Sequence, residues 1–189
     1  KWTKSEKDDQ HPNVPKFVVE CIGIIENEEN LVTNGIYRAS GKKESIDKIK
    51  KKMNETKPKK GSKYSILKDE DVHTITGSLK QFFREMKTDS FQSITEESVK
   101  TIGKEINGIA IDSRMTLKYL LRHLVKVDAN SKENLMNASN LSIVWGACLF
   151  TSSVTFNDTF ETSDLIRKNT LIKVLIQRFD DIFPNDSGR

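Results

Sequence analysis

The sequence has few of the residues that build metal centres and disulfide frameworks. Its 189 residues include two cysteines, Cys21 and Cys148, and three scattered histidines, with no Cys-x-x-Cys pair and no Cys/His cluster at ligand spacing. Disulfide scaffolds and structural zinc sites need such groupings, so the sequence excludes both classes. Both cysteines lie in apolar helical patterns, which fits a reducing compartment.

Long apolar runs and a strong charge of one sign are also missing. No stretch reaches the ~20 apolar residues that cross a bilayer, and the N-terminal residues lack the apolar block of a signal peptide. Lys and Arg exceed Asp and Glu by 31 to 27, and this formal charge of +4 is too small to indicate nucleic-acid binding. We therefore expect a cytoplasmic protein without a nucleic-acid partner. Because the chain starts at Lys1 without Met, we also expect it to be a segment of a larger protein, which could recruit it to membranes. We expect this domain to be monomeric.

Motifs of a stand-alone enzyme are absent as well. The sequence contains no P-loop, no Gly-x-Ser-x-Gly elbow, no His-Glu-x-x-His pair and no distinctive carboxylate pair. It therefore predicts neither a cofactor of its own nor an active site that is complete within this chain.

Hydrophobic periodicity predicts an all-α fold. Apolar residues recur at helical spacing, no segment sustains a period of two, and no internal repeat is visible. A chain of this length fits one domain with one core, which we expect to be a bundle of about eight or nine helices. The predicted divisions are a polar lead-in at 1–13, the domain at 14–186 and a tail at 187–189. Loops are predicted at 56–63, 128–134 and 151–162, with the last helix starting at about Asp164.

The segment from Asn34 to Gly41 presents an arginine on a turn. Its sequence is Asn-Gly-Ile-Tyr-Arg-Ala-Ser-Gly, in which the glycines permit a sharp bend and Ser40 or Gly41 can cap the next helix. The apolar residues before Arg38 can anchor the bend. A guanidinium on a short anchored loop suits the neutralisation of charge that develops during phosphoryl transfer in another protein. The simpler interpretation is an arginine paired with a surface carboxylate.

Two further motifs decide between these interpretations. Residues 35–41 (GIYRASG) resemble the arginine-finger loop of RhoGAP domains, G-[IL]-[FY]-R-x-S-G. Residues 79–86 (LKQFFREM) are similar to the family's L-K-x-[FY]-[FL]-R-E-L helix, and residues 134–146 (NLMNASNLSIVWG) to its N-x-M-x-x-x-N-L-[AS]-[IV]-x-[FW]-G segment. The motifs come in the family's order at about its spacing, and the similarity runs from Val14 to Pro184. Lys87-Thr88-Asp89 and Ala147 stand where the family usually has prolines.

The RhoGAP resemblance implies an all-α fold and a partner, a Rho-family small GTPase in its GTP-bound form. The GTPase would carry GTP and Mg²⁺, and this chain would add a catalytic arginine in trans. The implied site consists of Arg38 as the finger, of Lys80, Asn140 and Asn134 as partner contacts, and of Arg84, Gly35, Tyr37, Ser40 and Gly41 as support for the finger loop. The alternative is a catalytically weak RhoGAP-like module that binds small GTPases or membrane-associated partners. Nothing in the sequence separates Rho, Rac and Cdc42-type partners.

Three other features have open interpretations. The Lys-rich segment 42–63 could contact an acidic GTPase surface or an anionic membrane, or it could be a solvated face. Gly77 is costly in a helix interior, so it indicates either close approach of another chain or loop, or core packing. His123 has no second ligand at i+4, and we interpret it as a packed or surface histidine.

Overall fold

The computed structural model describes residues 6–55, 62–86, 99–150 and 158–184, with the backbone alone at 99–100 and 158–163. The described chain is helical, and its only β-type pairing is an isolated bridge between Lys7 and Pro15. The α-helices are α1 (Lys16–Ile25), α2 (Glu28–Leu31), α3 (Lys43–Met53), α4 (Val72–Glu85), α5 (Val99–Gly108), α6 (Ile111–Ala129), α7 (Ser131–Asn134), α8 (Ala138–Leu149), α9 (Asp158–Gln177) and α10 (Phe179–Ile182). A 3₁₀ helix, Lys63–Asp69, lies between α3 and α4.

The prediction of an all-α bundle is confirmed, but the described chain has more helices than the eight or nine expected. The difference comes from short elements, among them the four-residue helices α2, α7 and α10. A single helical turn carries too few residues to show an apolar period, so the sequence pattern does not reveal it.

Two predicted loops were partly wrong. Residues 128–134 contain the end of α6 and the whole of α7, and α9 begins at Asp158, inside the loop predicted at 151–162. The basic loop predicted at 56–63 ends in the first residue of the 3₁₀ helix, while residues 56–61 and 151–157 lie outside the described part. Both misassigned stretches are polar, and polar composition alone does not distinguish a short or terminal helical turn from a loop.

Side-chain caps define several helix starts. The side chain of Asp71 accepts a 2.9 Å hydrogen bond from the Thr74 amide at the start of α4, and Asn137 accepts one of 3.0 Å from the Asn140 amide in α8. Such caps satisfy amides that have no partner within the helix. The cap predicted for α3 at Ser40 or Gly41 was wrong, because the N-cap residue is Lys42 and its side chain makes no capping bond.

A row of aromatic rings forms the centre of the core. Phe17 of α1 contacts Phe82, Phe82 contacts Phe83, and Phe83 contacts Trp145 of α8, with ring centroids 5.4–5.6 Å apart. The row continues from Trp145 to Tyr37, at 5.3 Å. All five residues are buried, so the core reaches from α1 directly to the underside of the Arg38 turn.

The described part of the N-terminal lead-in contacts the domain. The amide of Lys16 donates to the Glu6 carbonyl at 2.7 Å, and Lys7 pairs with Asp112 at the start of α6.

The two cysteines are buried and unpaired with each other. Among the described residues, no helix is long and apolar enough to cross a membrane.

Candidate functional site around Arg38

The Arg38 turn uses two residues with left-handed backbone. Gly35 has φ +68° and Tyr37 has φ +69°. The carbonyl of Gly35 accepts hydrogen bonds from the amides of Arg38 and Ala39, both at 2.8 Å. Glycine adopts this conformation freely, whereas a tyrosine in it costs of order 1–3 kcal/mol and persists only where its surroundings hold it. The conformation of Tyr37 therefore points to strong local anchoring.

Asn134 anchors the beginning of the turn from inside the domain. Its backbone carbonyl accepts a 2.8 Å hydrogen bond from the Gly35 amide. Its side-chain amide donates to the carbonyls of Leu31 and Val127, both at 2.9 Å, and its side-chain oxygen accepts from the Met136 amide at 2.8 Å. The residue is fully buried. The family resemblance implied that Asn134 contacts the partner, but the structure places this residue beneath the Arg38 turn rather than at the surface.

Tyr37 is held at both ends. Its ring is fully buried and packs edge-on against Trp145, and its hydroxyl lies 2.6 Å from Nε2 of His123. Burial raises the pKa of the hydroxyl well above its usual value, so it remains protonated. At the other end, the backbone carbonyl of Tyr37 accepts a 2.5 Å hydrogen bond from the Lys80 ammonium.

Lys80 and Arg84 share one face of α4 but differ in their contacts. Lys80 is half-buried, and burial lowers the pKa of its ammonium, an effect to which nearby Arg84 adds. Arg84 is exposed, and its guanidinium interacts with the Cys148 thiol, whose pKa burial nevertheless raises. In the structure Lys80 therefore contacts the Arg38 turn, a supporting role that the family resemblance implied for Arg84.

The C-terminal end of the turn lies directly on α4. A Cβ atom on Gly41 would come within 2.4 Å of Thr74 Cα and 2.6 Å of the His73 carbonyl oxygen, so only glycine fits there without movement of backbone. One turn further along α4, a Cβ on Gly77 would lie 2.7 Å from Cδ1 of Ile46 and 3.9 Å from the Gly41 amide nitrogen. The side chain of Ile46 in α3 thus approaches this bare position closely, and the loop before α3 lies at ordinary contact distance from it.

Arg38 itself is exposed at the tip of the turn, as is Ser40. The Arg38 guanidinium lies over Gly35, because a Cβ there would be 3.4 Å from its Nη2 and 3.5 Å from its Nε. Within the part of the chain that the structure describes, no carboxylate forms an ion pair with Arg38. Among the described residues, the simpler interpretation of a structural surface pair therefore has no support.

Asn140 lies in the first turn of α8 and is partly exposed. Its side-chain amide donates to the Leu135 carbonyl at 3.0 Å, and its side-chain oxygen accepts no hydrogen bond from the described residues. Sequence reasoning missed Glu26, which lies 3.1 Å from Nδ1 of His123 and also pairs with Lys126. Residues 97 positions apart give no local pattern, so only the fold could reveal this pair.

Among the described residues, no group of three or more metal-binding side chains is arranged to hold an ion.

Comparison with known families identifies the domain. The family model for the RhoGAP domain matches residues 15–154, which include the Arg38 turn, α4 and α8. The chain belongs to the RhoGAP family. Rho GTPase-activating protein 15 of Mus musculus is 30% identical over 194 residues that cover 94% of this chain and 38% of the relative. N-chimaerin of Homo sapiens is 30% identical over 182 residues, covering 89% and 39% respectively.

The chain is also similar to a third relative and to two solved structures. The WW domain-containing protein tag-325 of Caenorhabditis elegans is 35% identical over 156 residues, which cover 75% of this chain and 18% of the relative. Human Rho GTPase-activating protein 15 superposes with a TM-score of 0.71 at 27% identity, over 90% of this chain and 84% of that one. The BH domain from GRAF, at 23% identity, shares the fold with a TM-score of 0.68, over 89% and 93%. The RhoGAP chain thus spans well under half the length of these three sequence relatives.

Proposed function

We propose that this RhoGAP domain stimulates GTP hydrolysis by a Rho-family small GTPase, in its GTP-bound form, by inserting Arg38 into the GTPase site. The observation that carries the proposal is the exposed Arg38 guanidinium, free of a carboxylate partner in the described chain, on a turn anchored by Asn134, Tyr37 and Lys80. An unpaired cation on a rigid support is what a catalytic group acting in trans requires.

The chemistry follows from charge. Phosphoryl transfer from GTP develops negative charge on the transferring group and the leaving oxygens, and the GTPase supplies the nucleotide, Mg²⁺ and the residue that orients water. Arg38 adds a positive charge that this partner lacks. A finger of this kind contributes a factor of about 10³–10⁵ in rate, which corresponds to about 4–7 kcal/mol of barrier.

The anchoring of the Arg38 turn increases the rate enhancement that Arg38 can contribute. A loop already held in one conformation loses little entropy when it enters the partner's site, so more of the interaction energy remains for the transition state. Tyr37, next to Arg38, is fixed through both its hydroxyl and its carbonyl. The domain needs no cofactor of its own in this scheme.

The partner surface extends from the turn to α8, where Asn140 is partly exposed. Its side-chain oxygen is an acceptor for a donor group of the GTPase.

The lysines of α3 form a second, weaker candidate contact with an anionic membrane. Two of them are partly neutralised, because Lys50 pairs with Glu85 and Lys52 with Glu55.

The test is single-turnover GTP hydrolysis by a panel of Rho, Rac and Cdc42-type GTPases, with the wild-type domain and with Arg38→Ala. We expect Arg38→Ala to bind the GTP-loaded partner and to accelerate hydrolysis at least ~10³-fold less than wild type. The change removes only an exposed loop side chain, so the free energy of unfolding should shift within about ±0.5 kcal/mol.

Arg178→Ala is the matched control. Arg178 is exposed between α9 and α10 and pairs with Asp181 on the surface, so its loss should leave stimulation unchanged. A wild-type domain that binds GTP-loaded partners without accelerating hydrolysis would establish the binding-module alternative. Undiminished stimulation by Arg38→Ala would show that Arg38 is not the finger.

A further inference from the structure

A chain of hydrogen bonds runs from the protein surface to the residue that precedes Arg38. Lys126 pairs with one carboxylate oxygen of Glu26, and the other lies 3.1 Å from Nδ1 of His123. The opposite nitrogen of the His123 ring, Nε2, lies 2.6 Å from the Tyr37 hydroxyl. The chain joins the C-terminal end of α1, the middle of α6 and the Arg38 turn.

The protonation states of these side chains determine which group donates in each of these hydrogen bonds. Burial opposes ionisation of Glu26, but hydrogen bonds from His123 and Lys126 outweigh it, so its pKa is lowered and it accepts as a carboxylate. His123 is fully buried, and burial lowers its pKa despite the neighbouring carboxylate, so the ring is neutral. A neutral imidazole has one N–H. That hydrogen lies on Nδ1 and is donated to Glu26, which leaves Nε2 to accept from the Tyr37 hydroxyl.

We propose that Glu26 and His123 are positioning residues for Arg38, acting through the Tyr37 hydroxyl to hold the left-handed backbone at Tyr37. This inference rests on the proposed function, because it concerns how the same arginine is placed. Tyr37 has φ +69°, and the next residue along the chain is Arg38. Relaxation of Tyr37 toward an ordinary conformation would turn the Arg38 backbone and move its guanidinium, whose placement governs the rate.

Packing alone does not account for this arrangement. The Tyr37 ring contacts Trp145 and His123 edge-on, at 5.3 and 5.7 Å between centroids, and a phenylalanine ring would make the same contacts. The hydroxyl adds a directional bond to an imidazole that is itself oriented by a carboxylate. A role in positioning therefore predicts a loss of kcat on removal of one oxygen atom, which a role in packing does not.

The experiment compares Tyr37→Phe with wild type in multiple-turnover hydrolysis by the GTPase that responds best to the domain. We expect kcat to fall about tenfold, within the ~10²-fold that a misplacement of 1 Å can cost, while KM for the GTPase is unchanged. Tyr64→Phe is the matched control, since it removes a hydroxyl from another buried tyrosine on the 3₁₀ helix and should leave kcat at the wild-type value.

A second pair of variants tests His123 independently. His123→Gln can retain a polar group near the Tyr37 hydroxyl, whereas His123→Leu cannot, so the glutamine variant should recover a substantial part of the kcat that the leucine variant loses. In an Arg38→Ala background, Tyr37→Phe should cause no further loss, because residues that act through one group are not additive.

The outcomes separate this inference from the proposed function. If Arg38→Ala greatly lowers kcat while Tyr37→Phe keeps the wild-type kcat, the positioning role is overturned. The assignment of Arg38 as the finger then stands. Equal kcat in His123→Gln and His123→Leu, or a Tyr37→Phe loss that persists undiminished without Arg38, also overturns it. No loss in Arg38→Ala itself would instead refute the proposed function.

Discussion

The ammonium of Lys80 donates a 2.5 Å hydrogen bond to the backbone carbonyl of Tyr37, across 43 residues of sequence. The bond ties helix α4 to the residue that precedes Arg38. Burial partly removes the Lys80 ammonium from water and therefore lowers its pKa. The ammonium is directed at the turn. The Arg38 turn is therefore attached to α4 in the absence of any partner.

The first prediction follows from this bond. Lys80→Met keeps most of the aliphatic stem and removes the donor, so we expect a lower kcat for stimulated hydrolysis with a smaller change in KM. Arg84→Met is the matched variant on the same face of α4, where the exposed guanidinium interacts with the Cys148 thiol, and it should lower kcat less. Steady-state kinetics over a range of GTPase concentrations measures both.

The opposite result is equally specific. If Lys80 contacts the GTPase directly, its substitution raises KM, and the effect shrinks as salt rises. If Arg84→Met alone lowers kcat, Arg84 supports the loop in the complex, as the family resemblance implied.

The second prediction concerns the contact between the turn and α4. Gly41→Ala places a Cβ 2.4 Å from backbone of Thr74, so loop or helix must move, and we expect a loss of about 1–3 kcal/mol in the free energy of unfolding. Gly77→Ala is the matched control. Its Cβ meets only the end of the Ile46 side chain at less than 3 Å, and alanine is about 0.5–1 kcal/mol better than glycine inside a helix. Urea unfolding should therefore show Gly77→Ala to be much less destabilising, and similar losses in both variants would contradict the close approach at Gly41.

The third prediction concerns the transition state. Arg38 should interact most strongly with charge that appears during the reaction, so a planar metal fluoride bound beside GDP should greatly strengthen association with the GTPase. The same additive should have little effect on the affinity of Arg38→Ala. Titration calorimetry with GDP-loaded partner measures both, and equal affinity of the wild-type domain with and without fluoride would favour a binding module.

The fourth prediction is a pH dependence of stability. His123 is surrounded by Tyr37, Glu26 and Lys126, with Cys21 near the Tyr37 hydroxyl, and burial lowers its pKa. A histidine with a lowered pKa in the folded state stabilises the fold above its unfolded pKa of about 6.5, and this contribution is lost as pH falls toward the folded value.

The urea midpoint should therefore fall between pH 7.5 and 5.5 by more in wild type than in His123→Gln. His11→Gln is the matched control, since it removes the same ring from a half-buried site against Tyr119, outside the contacts of His123. If the urea midpoint of His123→Gln depends on pH as that of wild type does, a group other than His123 causes the loss of stability between pH 7.5 and 5.5. Glu26, whose pKa is lowered, stabilises the fold above its unfolded pKa of about 4.3, and this contribution is lost only as the pH falls below that value.

The sequence by itself determined the fold class and the position of Arg38. Helical periodicity is a local property, and the turn from Asn34 to Gly41 is short enough to carry its own bending residues. Local patterns also indicated that Gly77 needs a structural reason. They did not reveal helical turns such as α7, because four residues are too few to show a period.

Only the tertiary structure decided how the turn is held. Lys80 and Arg84 lie one helical turn apart on the same face of α4, so their spacing cannot show which of them reaches the Tyr37 carbonyl. The sequence indicated only a packed or surface histidine at position 123, and the bonds of His123 to Tyr37 and Glu26 join residues 86 and 97 positions away. Such contacts depend on how α1, α4, α6 and α8 pack against one another, and that packing arises from the whole core rather than from any segment of the sequence.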